Sequence, residues 1–190
     1  MINPLAPIDI QSDKKFTFYF DMDGVLCIYD YDDYLPKDEK GRPGYMQPGR
    51  HLYRGMRPDP VAIGIFKSLY MAVSHHTKIM TGLGCPYLIS GQMLDKLAWC
   101  HDCLSPFSNT DFLCVYGSKV DAVSALKTLS PTDILIDDFN PNLETWEKAG
   151  GTPVKYVNHI NSNRDDMFCL KSSLPVDENV RALGKYLSQI

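Results

Sequence analysis

Phe16-Thr17-Phe18-Tyr19-Phe20-Asp21-Met22-Asp23-Gly24-Val25-Leu26 is the stretch around which the chain is organised. Its first five residues are aromatic or β-branched, the composition of a strand buried on both faces. The apolar run stops abruptly at two carboxylates. Asp21 and Asp23 stand two apart, so on an extended backbone both point to the same side. Gly24 then lets the chain bend or a ligand approach closely. Carboxylates at the C-terminal end of a buried strand lie where open α/β sheets bind ligands. Side by side they repel, and a hard cation such as Mg²⁺ relieves that repulsion. Taken alone, the same residues also fit a strand followed by an acidic turn.

Upstream, Met1 to Lys15 holds two prolines and several polar residues, without the basic start and apolar core of a secretory signal, and reads as a loose arm. Downstream, residues 27–57 are unlike the remainder, rich in Tyr, Gly, Pro and charge. Loops of that length in compact domains tend to be lids or binding loops. This segment is expected to form a small cap inserted after the first strand.

The 190-residue length suits one domain with a sizeable core, and 44% hydrophobic with 22% charged residues is ordinary for a globular protein. A net charge of −4 offers no global reason to bind nucleic acid or a membrane surface. An anionic substrate must then be held by local groups or by a metal. No apolar run approaches the roughly 20 residues that span a bilayer. The six cysteines (27, 85, 100, 103, 114 and 169) are scattered, as expected of reduced thiols in a cytoplasmic protein.

Strand and helix signals then alternate. Asp59-Pro60 starts a helix carrying Val61, Ile65, Leu69 and Val73, to about His75. Thr77 to Met80 is a strand ending in Thr81-Gly82, and Ser90 caps a helix through Met93, Leu94, Leu97, Ala98 and Cys100. Phe112 to Tyr116 is a strand ending at Gly117, and Ser118 caps a helix with Val120, Val123, Ala125 and Leu126. Ile134-Leu135-Ile136 runs into Asp137-Asp138. Asn140-Pro141 opens a helix through Leu143, Trp146 and Ala149, stopped by Gly150-Gly151. Val154 to Val157 is a fifth strand; a long loop follows, and Asp177 caps a last helix with Val180, Leu183 and Leu187. The pattern predicts one α/β domain over residues 1–190, with a Rossmann-like parallel five-stranded sheet, helices on both faces and the small cap at 27–57.

Chemistry-bearing residues gather at the predicted strand ends: Asp21 and Asp23, Thr81 and the amide of Gly82, Lys119, and Asp137 with Asp138. Phosphoryl transfer needs such a set: a carboxylate to attack phosphorus, a metal to neutralise charge, a lysine and a hydroxyl on the phosphoryl oxygens, and a second acid for the leaving oxygen. Each residue also has an ordinary reading, as a cap, a surface lysine or an acidic turn; their joint order is what points to chemistry.

In that order and spacing the chain resembles the haloacid dehalogenase superfamily, whose four motifs match Asp21-Met22-Asp23-Gly24-Val25, Thr81, Lys119 and Asp137-Asp138. The cap position resembles the 5′(3′)-deoxyribonucleotidase branch, as does Leu135-Ile136-Asp137-Asp138-Phe139-Asn140-Pro141-Asn142-Leu143 followed by Trp146-Glu147 and Gly150-Gly151. The resemblance implies that Asp21 is a nucleophile forming an aspartyl-phosphate and Asp23 the general acid, then base. It implies Mg²⁺ on Asp21, the Asp23 carbonyl, Asp137 and, through water, Asp138, with Thr81, Gly82 and Lys119 on the phosphoryl group. The expected activity is a Mg²⁺-dependent phosphomonoesterase acting on a small metabolite, a nucleoside monophosphate before a sugar phosphate or a nucleic-acid end. A non-catalytic phospho-acceptor module is the reading from another class, and Asp23, suited to turnover, counts against it. Tyr29, Tyr31, Tyr34 and Tyr45 are candidates to stack on a base, and Arg42, Arg50, Arg54 or Arg57 to meet a phosphate or base edge. Lys127 competes with Lys119 for the phosphate. Cys100-His101-Asp102-Cys103 lacks a partner at zinc spacing, His75-His76 reads as a helix end, Cys27 as hinge packing, and Trp99 and Trp146 as core.

Overall fold

The computed structural model describes residues 14–29, 37–42, 47, 51–72, 76–84 and 88–190. Tyr31, Tyr34, Tyr45 and Arg50 of the insertion lie outside these, as do Val73, His75 and Cys85.

Six parallel strands make one sheet. They are β1 (Thr17–Phe20), β2 (Thr77–Gly82), β3 (Phe112–Val115), β4 (Asp133–Asp137), β5 (Thr152–Val157) and β6 (Cys169–Lys171), in the order β3-β2-β1-β4-β5-β6. The expectation of five strands is corrected by β6, whose Leu170 lies opposite Tyr156. Three residues with one buried side chain leave no periodic signal, so the strand is hidden in what reads as a long loop. The chain builds outward from β1 to β3, then returns to the other side of β1 for β4, β5 and β6. The reversal of order falls between β1 and β4, where such sheets form a ligand crevice.

Alternate residues of each strand feed two cores. Phe18, Phe20, Ile79, Ile134, Ile136, Val154 and Tyr156 pack on one face against α1 (Pro60–Ala72), α2 (Ile89–Cys103) and α5 (Val176–Leu187). Tyr19, Met80, Leu135 and Val115 pack on the other against α3 (Lys119–Ser124) and α4 (Asn140–Lys148). Covering both faces is what lets the central strands be continuously apolar. Trp99 and Trp146 are both core residues, and each satisfies its indole N–H on a backbone carbonyl, Met56 at 2.7 Å and Asp133 at 2.9 Å. A Cβ on Gly151 would meet Trp146 Nε1 at 2.2 Å, so the Gly150-Gly151 stop is also a packing requirement.

Local signals hold at several helix starts. Asp59 accepts from the N–H groups of Val61 and Ala62 at 2.9 and 3.1 Å, and Ser118 accepts from Asp121 N–H at 3.3 Å. Two expectations fail. Helix α2 begins before Ser90, after Leu88 and without a side-chain cap, and α5 begins after Pro175, which puts Asp177 in its first turn. The face of α2 also differs from the apolar stripe read from sequence: Met93 and Leu94 are exposed, while Gln92, Asp95, Lys96, Trp99 and Cys100 face inward. Its first half packs over a charged site, so polar residues are what that face needs.

The insertion leaves and rejoins the fold as a short antiparallel neck. Cys27 bridges Pro58, Ile28 N–H donates to Arg57 O at 2.8 Å, and Asp59 N–H to Leu26 O at 2.9 Å. Cys27 is fully buried there, in keeping with a packing role. The returning limb, a short 3-10 helix at Leu52–Gly55 with its flanking residues, lies on α2, with His51 on Asp95 at 3.0 Å, the Tyr53 ring 4.3 Å from the Lys96 ammonium, and Met56 O accepting from Trp99. Among the described residues, no helix is long and apolar enough to cross a membrane.

Candidate active site

β1 and β4 pair in register, Phe20 beside Ile136, and Asp21 N–H donates to Ile136 O at 2.9 Å. That pairing brings Asp21 and Asp137, far apart in sequence, to adjacent strand ends. Lys119, at the first position of α3, reaches both: its ammonium lies 2.7 Å from Asp21 Oδ1 and 2.6 Å from Asp137 Oδ2. Lys127, the competing candidate, instead pairs with Asp133 at the opposite end of β4.

Asp137 is fully buried and fixed on both oxygens, by Phe139 N–H at 2.8 Å on Oδ1 and Asn142 Nδ2 at 2.9 Å on Oδ2. Asp138 is held from β5 and the loop beyond it. Asn158 Nδ2 donates to Asp138 Oδ2 at 3.1 Å and to Gly24 O at 2.7 Å, while buried Lys155 donates to the Asp138 carbonyl and, at 2.8 Å, to Asn140 Oδ1. Gly24 has φ +81°, and a Cβ there would fall 2.4 Å from Asp138 Oδ2. Only glycine permits this approach of the loop after β1 to the acid after β4.

The other side of the site is built by β2 and α2. Lys96 is fully buried, and its ammonium donates to Asp23 Oδ2 at 2.5 Å, Thr81 Oγ1 at 2.6 Å and Gly82 O at 2.9 Å, with the Tyr53 ring above it. A buried ammonium is tolerated because it is paired and fully hydrogen-bonded. A cavity of about 530 Å³ opens here, and its lining includes Asp21, Asp23, Gly82, Lys119 and Asp138, with Tyr29 and Tyr53 from the insertion; Lys96, Thr81 and Asp137 lie fully buried behind it.

The charges are strongly coupled. Burial pushes the Asp21 carboxyl up to about 8; Lys119 opposes the rise, and the Asp137 and Asp23 carboxylates add to it. Burial and then Asp137 raise Asp138 to about 6, against the hydrogen bond from Asn158. Burial alone would lower Lys119, but Asp137 and Asp21 outweigh it and hold the ammonium above the ordinary lysine range. One carboxylate oxygen each from Asp21, Asp137 and Asp138 lie within 4.8 Å of one another. Hard oxygen donors at that spacing fit Mg²⁺, which would complete its shell with water.

Thus Asp21, Asp23, Thr81, Gly82, Lys119, Asp137 and Asp138 come together at one end of the sheet. Tyr29 joins them at the cavity wall. Arg54 is exposed on the 3-10 helix and outside the cavity lining, and Arg42 is paired with Asp38 at 2.6 Å. Sequence reasoning missed Lys96, Asn158, Lys155 and Tyr53. For Lys96 a signal exists: Gln92, Lys96, Trp99 and Cys103 share a helical spacing that puts a lysine in line with a core tryptophan. Compared with known proteins, the chain matches no family model and no curated protein.

Proposed function

We propose that this protein is a Mg²⁺-dependent phosphomonoesterase of the haloacid dehalogenase type, acting through an aspartyl-phosphate on Asp21 and taking nucleoside monophosphates as substrates. The observation that carries the reading is the pairing of Asp21 with Lys119 at the β1/β4 crevice, with Asp23 in the same cavity and held independently by Lys96.

The placement supports the following roles. A carboxylate oxygen of Asp21 attacks phosphorus, and the bond to the leaving alcohol breaks as Asp23 gives its proton to that oxygen. Asp23, now ionised, takes a proton from a water that attacks the same phosphorus. The acyl-phosphate bond breaks, which frees inorganic phosphate, restores Asp21 and leaves Asp23 protonated for the next cycle. Lys119 and Thr81 hold phosphoryl oxygens, and Lys96 ties Thr81 to Asp23, so the binding group and the proton donor are fixed relative to each other. Asp21, Asp137 and Asp138 are the residues that would hold Mg²⁺, which supplies positive charge between nucleophile and phosphate.

Phosphate release from a panel of ribo- and deoxyribonucleoside monophosphates and sugar phosphates, with Mg²⁺ or EDTA, tests the reading. Metal-dependent turnover of nucleotides that disappears in Asp21→Asn protein is the expected result. Turnover of sugar phosphates alone would leave the mechanism and remove the substrate class; no turnover with Mg²⁺ present would remove both.

A further inference from the structure

Lys96 has three N–H groups to give and spends them on Asp23 Oδ2 at 2.5 Å, Thr81 Oγ1 at 2.6 Å and Gly82 O at 2.9 Å. The Tyr53 ring lies over the same ammonium, its centroid 4.3 Å from the nitrogen. Tyr53 lines the cavity, while Lys96 behind it has no exposed surface. The ring is therefore a partition between a buried cation and the space that a phosphate would enter.

The partition is fastened to the helix that it covers. Tyr53 is the buried side chain of the 3-10 helix Leu52–Gly55. On one flank His51 Nδ1 lies 3.0 and 3.1 Å from the two carboxylate oxygens of Asp95; on the other, Trp99 donates its indole N–H to Met56 O at 2.7 Å. His51, Tyr53 and Met56 thus meet Asp95, Lys96 and Trp99 in turn, and the ring is set on Lys96 from both ends. An ammonium against a ring face gains most where water is excluded. Without that cover it is a strongly hydrated point charge and a good phosphate binder. It would then divide itself between water, the incoming phosphate and the groups that it now joins.

We propose that Tyr53 is a positioning residue whose ring shuts the Lys96 ammonium off from the cavity, so that Lys96 holds Asp23 and Thr81 and leaves the phosphate to Lys119. The role rests on the phosphomonoesterase reading and adds to it a division of labour between the two lysines. Tyr53 acts through Lys96 and needs no contact with the leaving group.

The test pairs kcat on a nucleoside 5′-monophosphate with the affinity for inorganic phosphate by calorimetry, both with Mg²⁺, in wild-type, Tyr53→Ala, Tyr53→Phe and Tyr53→Ala/Lys96→Met proteins. In Tyr53→Ala kcat should fall about tenfold as the acid loses its alignment. Inorganic phosphate should bind about fivefold or more tightly, since the uncovered ammonium can now donate to it. Tyr53→Phe keeps the ring and should bring both values back to within about twofold of wild type. In the double variant the tighter phosphate binding should vanish. Tyr53→Leu, which keeps much of the apolar volume without a ring face, carries the same test with a smaller disturbance of the limb. A packing role or a stacking contact with the leaving group would leave phosphate binding unchanged or weaken it, and either result would overturn the proposal while wild-type turnover upheld the phosphomonoesterase reading. Tighter phosphate binding that persists without Lys96 would also overturn it. Absence of wild-type turnover would bring down the reading and the proposal together.

Discussion

Lys96→Met removes the ammonium that joins Asp23, Thr81 and Gly82 and keeps nearly the same length of chain beneath Tyr53. Breaking a buried ion pair by deleting one partner costs about 3–5 kcal/mol. Here the partner is less than fully buried: the Asp23 side chain is 20% exposed at the cavity and can regain water. Thr81 Oγ1 is buried but neutral, and its loss is that of an ordinary hydrogen bond, about 1 kcal/mol. The expected loss of stability is therefore about 2–3 kcal/mol, a fall in Tm of about 5–10 °C for a chain of this size. Urea and thermal unfolding in EDTA would measure it without metal binding in the balance. Activity should suffer more than stability. General acid–base catalysis contributes about 10²–10⁴-fold, and an Asp23 carboxyl no longer aimed by Lys96 should forfeit about 10²-fold of it in kcat. The loss should be larger for an alkyl phosphate, whose leaving oxygen needs a proton, than for a nitrophenyl phosphate, whose leaving group does not. A folded Lys96→Met protein with kcat within about twofold of wild type on both substrates would refute this account of Lys96, as would an equal loss on both.

Gly24→Ala should lose about 1–2 kcal/mol from the left-handed backbone alone. Its Cβ, 2.4 Å from Asp138 Oδ2, should also push that carboxylate aside and weaken Mg²⁺ binding by calorimetry; wild-type affinity in the variant would contradict the fit. Mg²⁺ at 100 times its dissociation constant should stabilise the wild-type protein by about 2.7 kcal/mol in thermal unfolding. Asp137→Asn should abolish most of that increment, and an undiminished increment would place the ion elsewhere. Asn158→Leu leaves Gly24 O and Asp138 Oδ2 without their buried donor and should cost about 1–3 kcal/mol in urea unfolding. A change below about 0.5 kcal/mol would mean that the clamp between the two loops carries no weight.

What the sequence made legible, and what it did not, follows from how ambiguous each residue type is. Asp21 and Asp137 stand out because each ends an apolar run, and a carboxylate beside a buried strand is costly unless something nearby wants the charge. The same runs located the central strands, and their alternation with helices determined the parallel sheet. Lys119 was readable because it follows a strand end by a few residues and opens a helix. Lys96 carries no such punctuation. Mid-helix lysines are ordinary on surfaces, and Met93, Leu94 and Leu97 offered a more apolar stripe than the one the fold buries. Only the packing of α2 over the strand-end charges reverses that preference. Asn158 acts on Gly24, 134 residues away, so its role comes from the strand order rather than from any neighbour in sequence. β6 is equally non-local, a three-residue edge ordered by the register of Leu170 on Tyr156. The strand-end carboxylates were thus visible where a buried charge is expensive, and the residues that hold them in place were hidden because each is inexpensive in many other places.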